Sequence, residues 1–135
     1  LRFLRACAVT THSRSQELLM FRLPDVKIFL AVGGTDMRKQ VNGLSMLVED
    51  LLEQDPFSGH LFGFCNKARN IIKLLYYDVN GFCIWYKKLE TGRFSWPMNE
   101  GEVLHISPRE LGWLLDGLSM DQKGAHKVQK YSVIS

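Results

Sequence analysis

Apolar and polar positions follow two rhythms along the chain, and the changes between them mark out the elements. Val26-Lys-Ile-Phe-Leu-Ala-Val is rich in branched and aromatic residues and follows Pro24, which predicts a strand ended by Gly33-Gly34. From about Met37 to Glu53 the rhythm changes. Val41, Leu44, Val48 and Leu51 recur at steps of three and four, the spacing of one buried helical face, and Leu47 and Leu52 widen it. Thr35 or Asp36 offers the N-cap, and Asp55-Pro-Phe-Ser-Gly reads as a turn.

Dense strand-like segments follow: His60 to Cys65, Asn70 to Asp78, Gly81 to Lys88, Arg93 to Trp96, and a short edge candidate from Val103 to Ile106. Asn80-Gly81 between two apolar runs predicts a type I′ hairpin, whose central residues both need positive φ. That turn sets Val79 opposite Phe82, Tyr77 opposite Ile84, Leu75 opposite Tyr86 and Lys73 opposite Lys88. The last of these is a repulsion that Glu90 or a phosphate would relieve. Neither face of the hairpin is plainly polar, so it belongs inside a sheet or against a partner. Ser107-Pro-Arg-Glu is a capping box with proline at the first helical position, before a helix with apolar Leu111, Leu114, Leu115 and Leu118 and Gly117 as terminator. The fold class expected is α+β: an antiparallel sheet of about five to six strands, one helix after the first strand, one C-terminal helix, and both helices on one side of a meander.

Length and charge refine this. The 135 residues, 46% of them hydrophobic and 23% charged, suit one globular domain. No apolar run has a membrane span's length, so no membrane partner is expected. The three cysteines form no C-x-x-C pair and fit a reducing cytoplasm. The net charge of +3 lies at the ends: Arg2, Arg5 and Arg14 against Glu17 in residues 1–19, and Lys123, Lys127 and Lys130 against Asp121 in residues 119–135. Residues 1–19 read as an extension with no role in the fold, 20–118 as the domain starting near Met20, and 119–135 as a basic flexible tail.

Within the domain, Lys67, Arg69, Lys73, Lys87, Lys88 and Arg93 stand against only Asp78 and Glu90, interleaved with Tyr76, Tyr77, Trp85 and Tyr86. Cations supply phosphate contacts and flat rings supply base contacts, so this span, with Tyr77 and Tyr86, is a candidate nucleic-acid surface. A buried sheet with a solvated cationic edge has the same composition. Gly33-Gly-Thr-Asp-Met-Arg-Lys adds Arg38 and Lys39 at a helix start, where backbone positioning on phosphates is possible, but the spacing is not a P-loop. Asp36, Asp78 and Glu110 each have a local structural task, which argues against a catalytic metal triad. Cys65, Cys83, His60 and His105 lack zinc-ligand spacing, and no metal or cofactor is expected.

Thr35-Asp-Met-Arg-Lys, Gly43-Leu and Asp55-Pro-Phe-Ser-Gly-His-Leu-Phe are followed by Lys73-Leu-Leu-Tyr-Tyr-Asp-Val-Asn-Gly-Phe, Tyr86-Lys-Lys-Leu-Glu-Thr-Gly-Arg-Phe-Ser-Trp-Pro and Leu114-Leu-Asp-Gly-Leu. In this order the blocks resemble the small TnpB-type accessory protein of insertion sequence family 66, a group of bacterial transposable elements. The resemblance covers about residues 20–118. Tyr77 stands where that family usually has Trp, and Lys88 where Arg is usual. The resemblance implies a non-enzymatic accessory factor of transposition encoded beside a larger transposase, with no catalytic residues to carry over. Two readings follow from it: direct binding to DNA at the element ends, or docking on the larger transposase without DNA contact. It leaves the oligomeric state open.

Overall fold

A computed structural model describes residues 26–99 and 103–120. Residues 1–25 and 121–135, with the expected extension and most of the expected tail, lie outside the described residues. The elements run β1 (Ile28–Gly34), α1 (Val41–Asp50), β2 (Leu61–Cys65), β3 (Ile71–Asp78), β4 (Gly81–Lys88), β5 (Val103–Ile106) and α2 (Pro108–Leu115). The strands form a five-stranded sheet in the order β4-β3-β2-β1-β5.

The α+β class holds, and two details of the expected sheet are corrected. The sheet is mixed, because β1 and β2 pair in parallel while the other neighbours are antiparallel. The cause is α1: a helix between two strands carries the chain back to the end it started from, so the next strand runs the same way. The helices also lie on opposite faces. Leu44, Val48 and Leu52 pack with Phe29, Ala31, Phe62, Phe64 and Leu75 on one face. Leu111, Leu114 and Leu115 pack with Ile28, Leu30, Leu61, Ile72, Leu74 and Tyr76 on the other. Covering both faces explains why β2 is buried at every position and why the strands show no polar side. Each large side chain taken fully out of water contributes roughly 1.5–3 kcal/mol, which is the main force holding the layers together.

The helix expected from Met37 begins later. Asp36 does not cap it; its Oδ1 accepts from the Arg38 N–H at 2.9 Å, closing a local turn, and Gln40 stands at the N-cap without a side-chain bond. The C-terminal helix is as its punctuation indicated. Ser107 Oγ accepts from the Glu110 N–H at 3.1 Å, and the Ser107 N–H donates to Glu110 Oε1 at 2.8 Å. Gly117, at φ 83°, lets its own N–H reach the Leu114 carbonyl and that of Leu118 reach the Trp113 carbonyl, which is a Schellman ending.

The hairpin register differs from expectation by two residues. Asp78 pairs with Gly81, so the loop is Val79-Asn80; Lys73 meets Tyr86, and Lys88 meets Ile71. The expected repulsion between Lys73 and Lys88 is therefore absent. A slip of two keeps every side chain on its face, so alternation cannot choose between the registers. The observed one brings Tyr77 against Phe82 with ring centroids 5.1 Å apart and separates the lysines. Val79, not Gly81, takes the positive φ, at 48°, and the Asn80 N–H donates back to the Asp78 carbonyl.

Arg93 to Trp96 keeps a two-residue rhythm, with Phe94 and Trp96 buried, but it is not a strand. It lies on the α2 side of the sheet, where Trp96 Nε1 donates to the Ala31 carbonyl at 3.1 Å. Gly63 makes room for it, since a Cβ there would sit 2.7 Å from Leu30 Cδ2 and 3.3 Å from the Trp96 ring.

Candidate nucleic-acid interface

The strand directions decide which cations meet. β1 and β2 end side by side, with the Thr35 N–H donating to the Cys65 carbonyl at 2.7 Å. β3 starts and β4 finishes at this same end, where the Leu89 N–H reaches the Asn70 carbonyl at 2.9 Å. The Phe94 N–H reaches the Arg69 carbonyl at 2.6 Å, which brings Arg93 there too. Arg38, Lys39, Lys67, Arg69, Lys88 and Arg93 thus come from separate segments to one end of the sheet.

Local chemistry fixes their supports. Asn66 organises the β2–β3 turn: its Oδ1 accepts from the N–H groups of Asn70 (2.9 Å) and Ile71 (3.1 Å), and its Nδ2 donates to Asn70 Oδ1 at 2.7 Å. Within that turn Arg69 is held at φ 63°, its N–H bonded to the Asn66 carbonyl. Arg38 is 91% exposed but committed, because its guanidinium grips both oxygens of Asp36, with Nη2 to Oδ2 at 2.8 Å. That grip holds the Asp36 carboxyl well below the usual carboxylate range. Lys39, Lys67, Lys88 and Arg93 are exposed and Arg69 half-buried, and none of the five has a carboxylate at ion-pair distance among the described residues.

Three candidates are placed differently. Lys73 is only 4% exposed, and its Nζ donates to the carbonyls of Met37 at 2.9 Å and Lys39 at 3.0 Å. It is a strut beneath the loop that carries Arg38 and Lys39. Lys87 Nζ donates to the Leu115 carbonyl at 2.8 Å, placing a cation at the negative end of α2, whose own last turn has no basic residue. Tyr77 lies at the opposite end of β3, with the rings of Phe57 and Phe82 each 5.1 Å from its own and 5.0 Å from each other. Tyr86 stays with the cations, two residues from Lys88 on β4.

A family model described as IS66 Orf2 like protein matches residues 26–125, spanning the sheet, both helices and the cationic end. The chain belongs to the IS66 Orf2-like family. It is 37% identical over 94 residues, 70% of this chain and 82% of the relative, to "Uncharacterized protein y4hO" of Sinorhizobium fredii. It is 36% identical over 93 residues, 69% of this chain and 80% of the relative, to "Uncharacterized protein y4jC" of the same organism. No solved structure matches the chain. Membership of an insertion-sequence family supports an accessory role in transposition.

The three carboxylates weighed above as a metal triad lie apart in this family member. Asp36 sits at the cationic end, Asp78 at the far end of β3, and Glu110 in the α2 capping box. Among the described residues no three His, Cys, Asp or Glu side chains gather as a metal cluster. Burial pushes the Cys65 thiol up to about 12, so it carries no thiolate at neutral pH. Sequence reasoning missed the strut role of Lys73, whose signal was a lysine inside the apolar run Ile72 to Leu75, and the cluster around Phe57, which had none.

Proposed function

We propose that this IS66 Orf2-like protein is a non-catalytic, cytoplasmic accessory factor of DNA transposition that binds DNA at the element ends through its cationic end. The observation that carries the reading is the meeting of Lys39, Lys67, Arg69, Lys88 and Arg93, without carboxylate partners among the described residues, from four parts of the chain. Such a group offers phosphates preplaced charge, with little chain entropy left to lose on binding. Five phosphate contacts give a salt dependence of at most about −4.5 in log K against log salt on duplex DNA. The test is a salt titration of binding to element-end DNA, with and without the larger transposase. Replacing Lys67, Lys88 and Arg93 by Gln should flatten the slope by roughly three units and spare the fold. An unchanged slope, or no binding by the parent, removes the reading.

A second reading has its own observation. Phe57 is 58% exposed and forms an aromatic cluster with Tyr77 and Phe82 at the end of the sheet away from the cations. That surface suits docking on the larger transposase. Phe57→Ser should then abolish co-purification with the transposase and leave the salt slope of DNA binding untouched.

A further inference from the structure

Resting on the DNA-binding reading, we infer that Tyr86 is a base-stacking platform and that the preferred form of DNA is single-stranded. The ring is 53% exposed on the edge strand β4. Other strand aromatics are spent on the fold: Phe62, Phe64 and Tyr76 are buried, and Tyr77 and Phe82 face each other and Phe57. Tyr86 makes no ring contact or side-chain hydrogen bond among the described residues.

Its neighbours are cations. Lys88 shares its face two residues along the strand, about 7 Å away at the ordinary strand rise. Across the ladder stands Lys73, whose ammonium holds the backbone of Met37 and Lys39. The ring therefore stands beside Lys88 on its own strand and across from the strut that holds the loop carrying Lys39. Stacking needs an exposed base face, which a paired duplex hides within its own stack and a single strand presents.

The two described helices are poorly suited to duplex. A groove-reading helix brings basic side chains to the phosphates, yet α1 (VNGLSMLVED) has no Lys or Arg and exposes Glu49 and Asp50. The other helix, α2, has Arg109 alone, beside Glu110. The five cations of this sheet end give a modest electrostatic attraction, so an additional salt-insensitive contribution from stacking decides which form is held there.

The experiment uses the full chain and two fluorescein-labelled probes, a thymidine strand and a mixed-sequence duplex, each of roughly 20 residues per strand, long enough for one binding site. Anisotropy at low salt should show the single strand bound more tightly. Tyr86→Ala should weaken that binding about 5- to 150-fold, the range of one stacked base, and change duplex binding less than about twofold. Tyr86→Trp should restore it. The salt slope should be the parent's in Tyr86→Ala and lower in Lys67→Gln, and the thermal midpoint of Tyr86→Ala should stay put because the ring is exposed. Equal binding of both probes overturns the inference, as does single-strand affinity insensitive to Tyr86→Ala while Lys67→Gln still weakens it; DNA binding itself survives either result. A change of molecular mass in Tyr86→Ala would place the ring between copies of the chain and also overturn it. Failure of the parent to bind either probe removes the DNA-binding reading as well.

Discussion

Replacing Lys73 by Met separates a structural lysine from a phosphate-binding one. Met keeps the unbranched stem and removes the ammonium that bonds the Met37 and Lys39 carbonyls at 2.9 and 3.0 Å. Hydrogen bonds to a charged group are worth about 1.5–3 kcal/mol each, so the pair contributes roughly 3–6 kcal/mol. Part of that returns, because Met carries no charge to desolvate at a position only 4% exposed. A net loss of about 2 kcal/mol remains, which lowers the thermal midpoint by roughly 6–10 °C for a domain of this size. The loop before α1 should lose amide-exchange protection before the rest of the sheet. In a salt titration Lys73→Met should keep the parent's slope, since a buried ammonium meets no phosphate, whereas Lys67→Gln should lower it by about 0.9. Apolar replacements of buried charges are sometimes stabilising. If Lys73→Met melts at or above the parent, the ammonium is not the strut of this loop. A slope lowered as in Lys67→Gln would instead put Lys73 on DNA.

Other outcomes follow from single positions. Val79 is 87% exposed at φ 48°, a conformation hard for a β-branched residue, so Val79→Gly should gain up to about 1 kcal/mol in urea unfolding. Gly81 is not at positive φ and has open space around it, so Gly81→Val should be mild where a type I′ turn would make it severe; a large loss would restore that turn. Gly63→Ala places a methyl 2.7 Å from Leu30 Cδ2 and should cost about 1–3 kcal/mol by overpacking, measured by the same unfolding curve. His60 Nδ1 accepts from the Lys27 N–H at 3.0 Å, and burial, then Lys27 and His105, hold its pKa below 6.5. Near and below that value the unfolded chain binds the proton more readily, so this contribution to stability is present above pH 6.5 and is lost as pH falls towards the lowered value. His60→Asn should flatten that part of the midpoint-against-pH curve, and a curve parallel to the parent's refutes the assignment.

The capping of α2 was legible because it is local, whereas Asp36, read as a cap for α1, closes a turn with Arg38 instead. Ser107, Pro108, Glu110 and Gly117 define α2 within a few residues of one another, and the structure places each where its spacing indicated. Strand direction was less legible, because it depends on which end the chain reaches after a connection. The helix between β1 and β2 held that information, and a meander drawn from dense strands overlooked it. Arg93 to Trp96 was expected as a strand, but a period of two records a face and not a ladder. A segment lying flat on a sheet buries alternate residues in the same way.

The cations show what composition cannot carry. Lys73, Lys87 and Lys88 are near neighbours across one hairpin, equal in any count of charge. Their tasks diverge with the direction of each side chain: Lys73 goes beneath the loop before α1, Lys87 to the last carbonyls of α2, and Lys88 out to solvent. Alternation puts Lys87 and Lys88 on opposite faces, and the helices on those faces decide what each can meet. α2 ends over one face with carbonyls to satisfy, and Lys87 is spent there. On the other face α1 starts one strand inward of β4, over Lys73, which leaves Lys88 and Tyr86 uncovered at the edge. The accessible charge of the sheet end is thus set by where α1 starts and α2 ends. Lengthening α1 by a turn at its start would displace the loop of Arg38 and Lys39, whose carbonyls at Met37 and Lys39 hold the Lys73 ammonium.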